Sequence, residues 1–306
     1  MSLFYNKTVD LISQIEEDIR NVKIQGATAI ALATIYGLSI ALDQLKKKNP
    51  PDPTSYLLKK VTPLAYARPT EPLAQNALRF IFGQPQENPQ NYRKKAKEYE
   101  NLIKDSKNKM GKYGAELITN GGVYLTHCHS STVTGMIINA HKQGRKFSLI
   151  ATETRPLFQG RTTVSELLKE NIDTTMILDD VAVSLLLDNI KNISAVFIGA
   201  DLLSEKGFVN KVGSRGIAYA ARQSQIPIFC LSILLKYDPR PFNHSLLETR
   251  DGSEIWPQAP TGLKFYAPAF DYIPYDDNIT FVTESGLLQG QQLKSKALDL
   301  YPFLKS

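Results

Sequence analysis

The chain has 306 residues, 42% of them hydrophobic and 22% charged, which suits one large or two moderate folded domains and excludes a disordered chain. Its two cysteines, Cys128 and Cys230, lie far apart without a Cys-x-x-Cys or a clustered histidine set, which argues against a disulfide framework and a structural zinc site and fits a reducing compartment. The net charge of +6 is concentrated in Lys46–Lys48 and from Arg93 to Lys112, helical stretches without an RNA-binding or helix-turn-helix pattern, so a solvated helix face is favoured over nucleic acid.

Met1 to Tyr5 show no basic-then-apolar leader, and no uninterrupted apolar run approaches the ~20 residues of a membrane span, so a cytoplasmic protein is expected. Val9, Ile12, Ile15, Ile19 and Val22 recur at three- and four-residue steps and predict a packing helix from Phe4 to Val22. Ile24-Gln25-Gly26-Ala27-Thr28 interrupts the pattern before an alanine-rich helix that runs to about Lys48, where Asn49-Pro50-Pro51-Asp52-Pro53 stops it. Gly26 permits close backbone approach, and the helix start behind it is a place for an anion.

Arg68 precedes Pro69 in a loop from Tyr66 to Thr70, and Pro72 suits the first turn of a short helix ending near Gly83. One turn of that helix would bring Asn76 and Arg68 to a common site, although the stretch by itself favours the plainer reading of a surface arginine. Pro89 opens a long helix whose seam is Tyr92, Ala96, Tyr99, Ile103, Ser106, Met110, Tyr113 and Leu117, with Arg93, Lys94, Lys95 and Lys97 on the wet side.

After Asn120-Gly121-Gly122 the character changes. Candidate strands are Val123 to Thr126, Phe147 to Ala151, Thr175 to Leu178, Ala195 to Ile198, Ile226 to Leu231 and Ile279 to Val282. Helical patterns at Ser131–Gln143, Thr163–Lys169, Val181–Ile190 and Lys211–Gln225 alternate with the first five, which predicts an α/β fold with a doubly wound parallel sheet. The chain is thus divided into a helical domain of residues 1–118 and an α/β domain of residues 119–306. Residues 232–278 are expected to wrap the sheet or form an oligomer contact.

Ligands of open α/β sheets bind at the carboxyl ends of the strands, so the residues that end each strand are the candidates for chemistry. The first strand ends in His127-Cys128-His129, the second in Thr152-Glu153-Thr154-Arg155-Pro156 and the fourth in Gly199-Ala200-Asp201. A thiol just before a helix start is expected to be activated, and strand alternation lets at most one of the two histidines share its pocket. Against this stand the plainer readings of a buried structural cysteine and of an aspartate that caps the next segment. Asn210-Lys211-Val212-Gly213-Ser214-Arg215-Gly216 is expected to open a helix and cradle phosphate, and Gln159-Gly160-Arg161 adds a glycine and a cation near the same edge. Neither the Walker nor the dinucleotide glycine spacing is present, so a nucleotide cofactor is disfavoured, and no cofactor or metal is expected. A thiol and a carboxylate beside phosphate-binding ends suit aldose–ketose proton transfer on a sugar phosphate. A cysteine hydrolase needs a histidine base held by a third group, and His127 and His129 are too close in sequence to supply that arrangement naturally.

Taken together, Gly26-Ala27, Arg68-Pro69-Thr70 with Asn76, Thr126 to Ser130, Thr152 to Pro156 with Gln159-Gly160, Gly199-Ala200-Asp201, Asn210 to Gly213, Pro268 to Asp271 and Thr283 to Gly286 resemble the superfamily of ribose-1,5-bisphosphate isomerase, methylthioribose-1-phosphate isomerase and the regulatory subunits of translation initiation factor 2B. The resemblance covers essentially the whole chain. It implies a helical domain on a Rossmann-like domain, assembled as dimers or trimers of dimers. It further implies Cys128 and Asp201 as the catalytic pair, with Gln25, Gly26, Ala27, Arg68, Asn76, Glu153, Arg155, Gln159, Asn210 and Lys211 around the phosphorylated substrate. His129-Ser130 and Asn76 are similar to the ribose-1,5-bisphosphate branch; the methylthioribose branch usually carries Asn-Thr-Gly after the cysteine. Both enzyme branches commonly have arginine where this chain has Gln25, which removes one cation from the expected phosphate site. The other implied reading is a non-catalytic regulatory subunit that binds initiation factor 2, which has no need of the thiol and carboxylate.

Overall fold

The structure is a computed structural model that describes residues 10–86 and 88–305. Phe4 and Val9 of the first predicted helix lie outside them. Within the described part that helix is α1, Leu11–Arg20, with the Asp10 carboxylate accepting from the Ile12 amide and Ile12, Ile15 and Ile19 buried. The alanine-rich helix is α2, Ala27–Lys48, stopped by Asn49 in the left-handed region. An unpredicted helix follows: α3, Pro53–Ala65, with Asp52 as its N-cap, Pro53 in its first turn and Leu57, Val61 and Leu64 buried. Helices α4, Pro72–Phe82, and α5, Asn91–Ala115, complete the helical part. The seam of α5 runs from Tyr92 to Met110 and then turns to Gly114, leaving Tyr113 exposed. Among the described residues only α2 is long and apolar enough to cross a membrane, and it packs against α3, α4 and α5.

From Val123 onward strands and helices alternate: β1 Val123–Thr126, α6 Ser131–Lys142, β2 Ser148–Thr152, α7 Gln159–Lys169, β3 Asp173–Ile177, α8 Val181–Asp188, β4 Ile193–Gly199, β5 Leu202–Leu203, β6 Gly207–Lys211, α9 Ser214–Gln223, β7 Ile228–Leu231, β8 Phe270–Pro274, β9 Ile279–Thr283, β10 Gly286–Gln289 and α10 Leu293–Leu300. The main sheet has the order β10-β9-β7-β4-β1-β2-β3. Its pairs are parallel except for the antiparallel edge β10 on β9. The fold is therefore the expected doubly wound α/β sheet with an added antiparallel edge. Leaving β1, the chain builds outward through β2 and β3, then crosses back to β4, which pairs with β1 on its other side. The crevice of such a sheet opens where the winding reverses, here between the carboxyl ends of β1 and β4.

Two expectations change. Residues 210–211 do not open a helix. They end β6, the middle strand of a small antiparallel sheet β5-β6-β8, because Asn210 and Lys211 pair with Asp271 and Phe270 of β8. Residues 232–278, expected to wrap the sheet or form an oligomer contact, supply that third strand, Phe270–Pro274. One continuous apolar core joins the helices to the sheet, from Ile12 and Leu38 through Tyr99 to Phe197 and Phe281.

Candidate active site

Strand β1 stops at Thr126, and Cys128 turns into the left-handed region with φ 69°. That conformation costs a side-chain-bearing residue about 1–2 kcal/mol, so neighbouring bonds must hold it. They come from the end of β2. The Cys128 amide donates to Thr154 Oγ1 at 3.0 Å, Thr154 and Thr152 hydroxyls are 3.2 Å apart, and Thr152 Oγ1 lies 2.7 Å from His127 Nδ1. His127 Nε2 is 2.8 Å from the Val212 carbonyl, an acceptor only, so Nε2 carries the proton and Nδ1 accepts from Thr152. Burial holds His127 below its usual pKa, in keeping with a neutral ring. On the far side Thr163 donates to the Cys128 carbonyl, so its oxygen is left to accept from His129 Nδ1. Asp179 takes the amides of Thr154 and Arg155 at 2.7 Å and fixes the end of β2 in turn. Gly160 is needed here, since a Cβ would stand 1.8 Å from the Thr152 carbonyl oxygen.

Because the backbone turns at Cys128, both His127 and His129 face the same cavity, contrary to the strand-alternation expectation. This cavity, of about 420 Å³, is also lined by Cys128, by Asp201 after β4, by Arg68 and Glu71, and by Gln25, Gly26 and Ala27. The thiol is not activated: burial pushes it up to about 11, with Asp201 adding to the rise and Lys211 opposing it. At neutral pH Cys128 therefore carries its proton, and the nearby Asp201 is the candidate to receive one.

Two helix starts open on the cavity. Gly26, with φ 85°, precedes α2 without any side-chain cap, and residues 25–29 lie on the wall. Ser130, Ser131 and Thr132 at the start of α6 form another part of it, with Lys107 Nζ 3.1 Å from Ser131 Oγ. At α6 the Ser130 hydroxyl already accepts from the Val133 amide at 3.4 Å, whereas α2 is uncapped; amides and hydroxyls left over at such ends bind anions. The expected third cradle is closed. Asp271 occupies the start of α9, accepting from the amides of Gly213 at 2.8 Å and Arg215 at 2.9 Å. Lys211 still lines the cavity, 5.0 Å from the Phe270 ring, and no carboxylate pairs with it among the described residues.

Gln25, Gly26, Ala27, Arg68, Gln159, Asn210, Lys211, Cys128 and Asp201 thus meet in one place. Asn76, Glu153 and Arg155 do not reach the wall. Asn76 is fully buried, donating to the carbonyls of Leu235 and Tyr237 at 2.7 and 2.9 Å while accepting from Arg79. It clasps the residues on either side of Lys236, whose ammonium lines the cavity and donates to the Ala200 carbonyl. Glu153 turns outward to Arg161, and Arg155 donates to the Ile255 carbonyl at 3.1 Å from an exposed position.

Glu71, Lys236 and Arg250 are cavity residues that sequence reasoning passed over, and Phe270 entered it only within the matching stretch Pro268 to Asp271. Arg68 is less available than expected, since its Nε donates to both Glu248 oxygens, at 3.0 and 3.2 Å. Two acceptors of cavity-lining side chains, Glu71 Oε2 and Gln159 Oε1, are buried without partners among the described residues. Buried polar atoms are seldom left so, and a ligand with hydroxyl groups would satisfy them.

Residues 23–290 match the Initiation factor 2 subunit family. A ribose 1,5-bisphosphate isomerase of Methanocaldococcus jannaschii is 30% identical, with 94% of this chain and 95% of that protein aligned. A methylthioribose-1-phosphate isomerase of Heliobacterium modesticaldum is 31% identical over 90% of this chain and 87% of its own. The crystal structure of the Pyrococcus horikoshii translation initiation factor eIF-2B superposes with a TM-score of 0.73, at 22% identity, over 92% of this chain and 98% of that one. The match over most of its length and the identity of its relatives establish that the chain belongs to the Initiation factor 2 subunit family.

Proposed function

We propose that this protein is an aldose–ketose isomerase that converts ribose 1,5-bisphosphate to ribulose 1,5-bisphosphate in the salvage of nucleoside monophosphates. The observation that carries the reading is a protonated thiol and a carboxylate at the ends of adjacent strands β1 and β4, in one cavity onto which two helix starts open. The relatives named ribose 1,5-bisphosphate isomerase support the same choice. In this reading residues 1–118 form a helical domain on a catalytic domain of residues 119–306, and the protein works in the cytoplasm as a homo-oligomer, a dimer or hexamer.

The proton balance follows from the two groups. The Cys128 thiol gives its proton to the ring oxygen as the bond from that oxygen to the first carbon breaks. Asp201 takes the proton from the second carbon, leaving an enol across the first two carbons. Asp201 then returns its proton to the first carbon while the second-carbon hydroxyl gives its own to the Cys128 thiolate, which gives a ketone and a phosphorylated methylene and restores both groups. The helix starts of α2 and α6, with Lys211, hold the two phosphates.

Methylthioribose 1-phosphate would place a thioether where the second phosphate lies. The hydroxyls of Ser130, Ser131 and Thr132, with Lys107 bonded to Ser131 Oγ, favour phosphate over thioether at that end. A regulatory subunit that binds initiation factor 2 has no use for the thiol–carboxylate pair. Incubation with ribose 1,5-bisphosphate, and in parallel with methylthioribose 1-phosphate, followed by phosphorus NMR, should show ribulose 1,5-bisphosphate from the first. Product only from the second would reassign the substrate, and no product from either with folded protein would defeat the enzyme reading.

A further inference from the structure

We propose that Glu71 is a specificity-determining residue that binds the non-reacting hydroxyl of the sugar, the one on the third carbon, at the Arg68 side of the cavity. The inference rests on the isomerase reading above. Glu71 stands at the N-cap position of α4 yet its side chain makes no capping bond. It is 1% exposed, one of its oxygens lies 3.7 Å from Arg68 Nη1, and the other, Oε2, has no partner among the described residues. Pairing with Arg68 does not account for the whole carboxyl: Glu248 takes the Arg68 Nε with both oxygens and also accepts from Thr70, and the contact to Nη1 uses only one Glu71 oxygen, which leaves Oε2 for another partner.

The charged groups around Glu71 are Arg68, Lys236, Asp201 and Glu248. Burial, with Asp201 adding to it, pushes the Glu71 carboxyl up to about 8, so near neutrality it is a neutral acid that donates and accepts. A phosphate at this side would meet three carboxyl groups, Glu71, Glu248 and Asp201, against the Arg68 and Lys236 cations. A hydroxyl meets a partner that suits both its proton and its lone pairs. With the phosphates at the α2 and α6 starts, the middle of the sugar is what remains for Glu71. Ribose 1,5-bisphosphate has two free hydroxyls; the second-carbon hydroxyl becomes the ketone beside Asp201, which leaves the third-carbon hydroxyl.

The test compares kcat/KM for ribose 1,5-bisphosphate and its 3-deoxy analogue in the wild type and in Glu71→Leu, Glu71→Met and Glu71→Gln. Wild type should prefer the hydroxylated substrate by about 10–100-fold, mainly through KM. The two apolar replacements, chosen because they leave no orphaned polar atom, should prefer it by less than about 3-fold, and Glu71→Gln should restore most of the preference. Apolar variants that discriminate as well as wild type, or a wild type indifferent to the missing hydroxyl, would overturn the assignment of Glu71 alone. A wild type that does not turn over ribose 1,5-bisphosphate would instead remove the isomerase reading, and this inference with it.

Discussion

Helices α2 and α9 begin alike. Each follows a glycine with positive φ, Gly26 at 85° and Gly213 at 100°, neither has a cap from the residue before it, and each has a basic or amide side chain close by. One start opens on the cavity, while the other is filled by the Asp271 carboxylate. A helix start is thus an anion site only by default, and a carboxylate brought from a distant strand is enough to make it a structural joint. At α9 the φ of 100° favours glycine, and the His127 ring, 3.3 Å from where a Cβ at position 213 would stand, leaves little room for a side chain. The closed start therefore sits against the imidazole behind Cys128, and the open one faces the cavity.

The largest expected effects separate chemistry from binding at these ends. Cys128→Ser and Asp201→Asn should each lower kcat by at least ~100-fold while calorimetry shows substrate binding little changed. With the thiol as donor and its pKa raised to about 11, wild-type activity should decline as pH rises toward 11, where the donated proton is lost. Lys211→Met comes next: it removes the cation that still faces the cavity beside the closed start, and should raise KM about 10–100-fold with a smaller change in kcat. Asp271→Asn should weaken the closed start by about 1–2 kcal/mol in urea unfolding and leave KM nearly unchanged. A large rise in KM would mean that α9 serves the substrate after all. The smallest effect is at the open start, where Gln25→Arg should tighten binding by about 1 kcal/mol, read as a ~5-fold lower KM that fades with salt.

Much of this was legible in the sequence where the signal is local. Val123 to Thr126 were bounded correctly because an apolar run sits between Gly-Gly and the polar His-Cys-His, and the placing of Cys128 and Asp201 at one edge follows from strand–helix alternation alone. What escaped depends on partners far along the chain. Strand β6 exists because Asn210 and Lys211 meet Asp271 and Phe270, a pairing that a local pattern cannot announce, so the same residues read as a phosphate loop. Asn76 has a cavity-like sequence neighbourhood, yet its amide is spent on the Leu235 and Tyr237 carbonyls. Glu71 reads as an ordinary acid at a helix start until burial and Arg68 give it another setting. Helix α3 was the avoidable miss, since Asp52-Pro53 followed by Leu57, Val61 and Leu64 carries both a start signal and a helical period.

The bond from Gly213 to Asp271 spans 58 positions, and this distance has a meaning in time as well as in space. On a ribosome, α9 emerges long before its carboxylate does, so its first amides bond to water until β8 has been made and has paired with β6. The cavity, with Phe270 on its wall, cannot be completed before that moment. A nascent chain stalled between these two points would present a third open helix start that the finished protein no longer has.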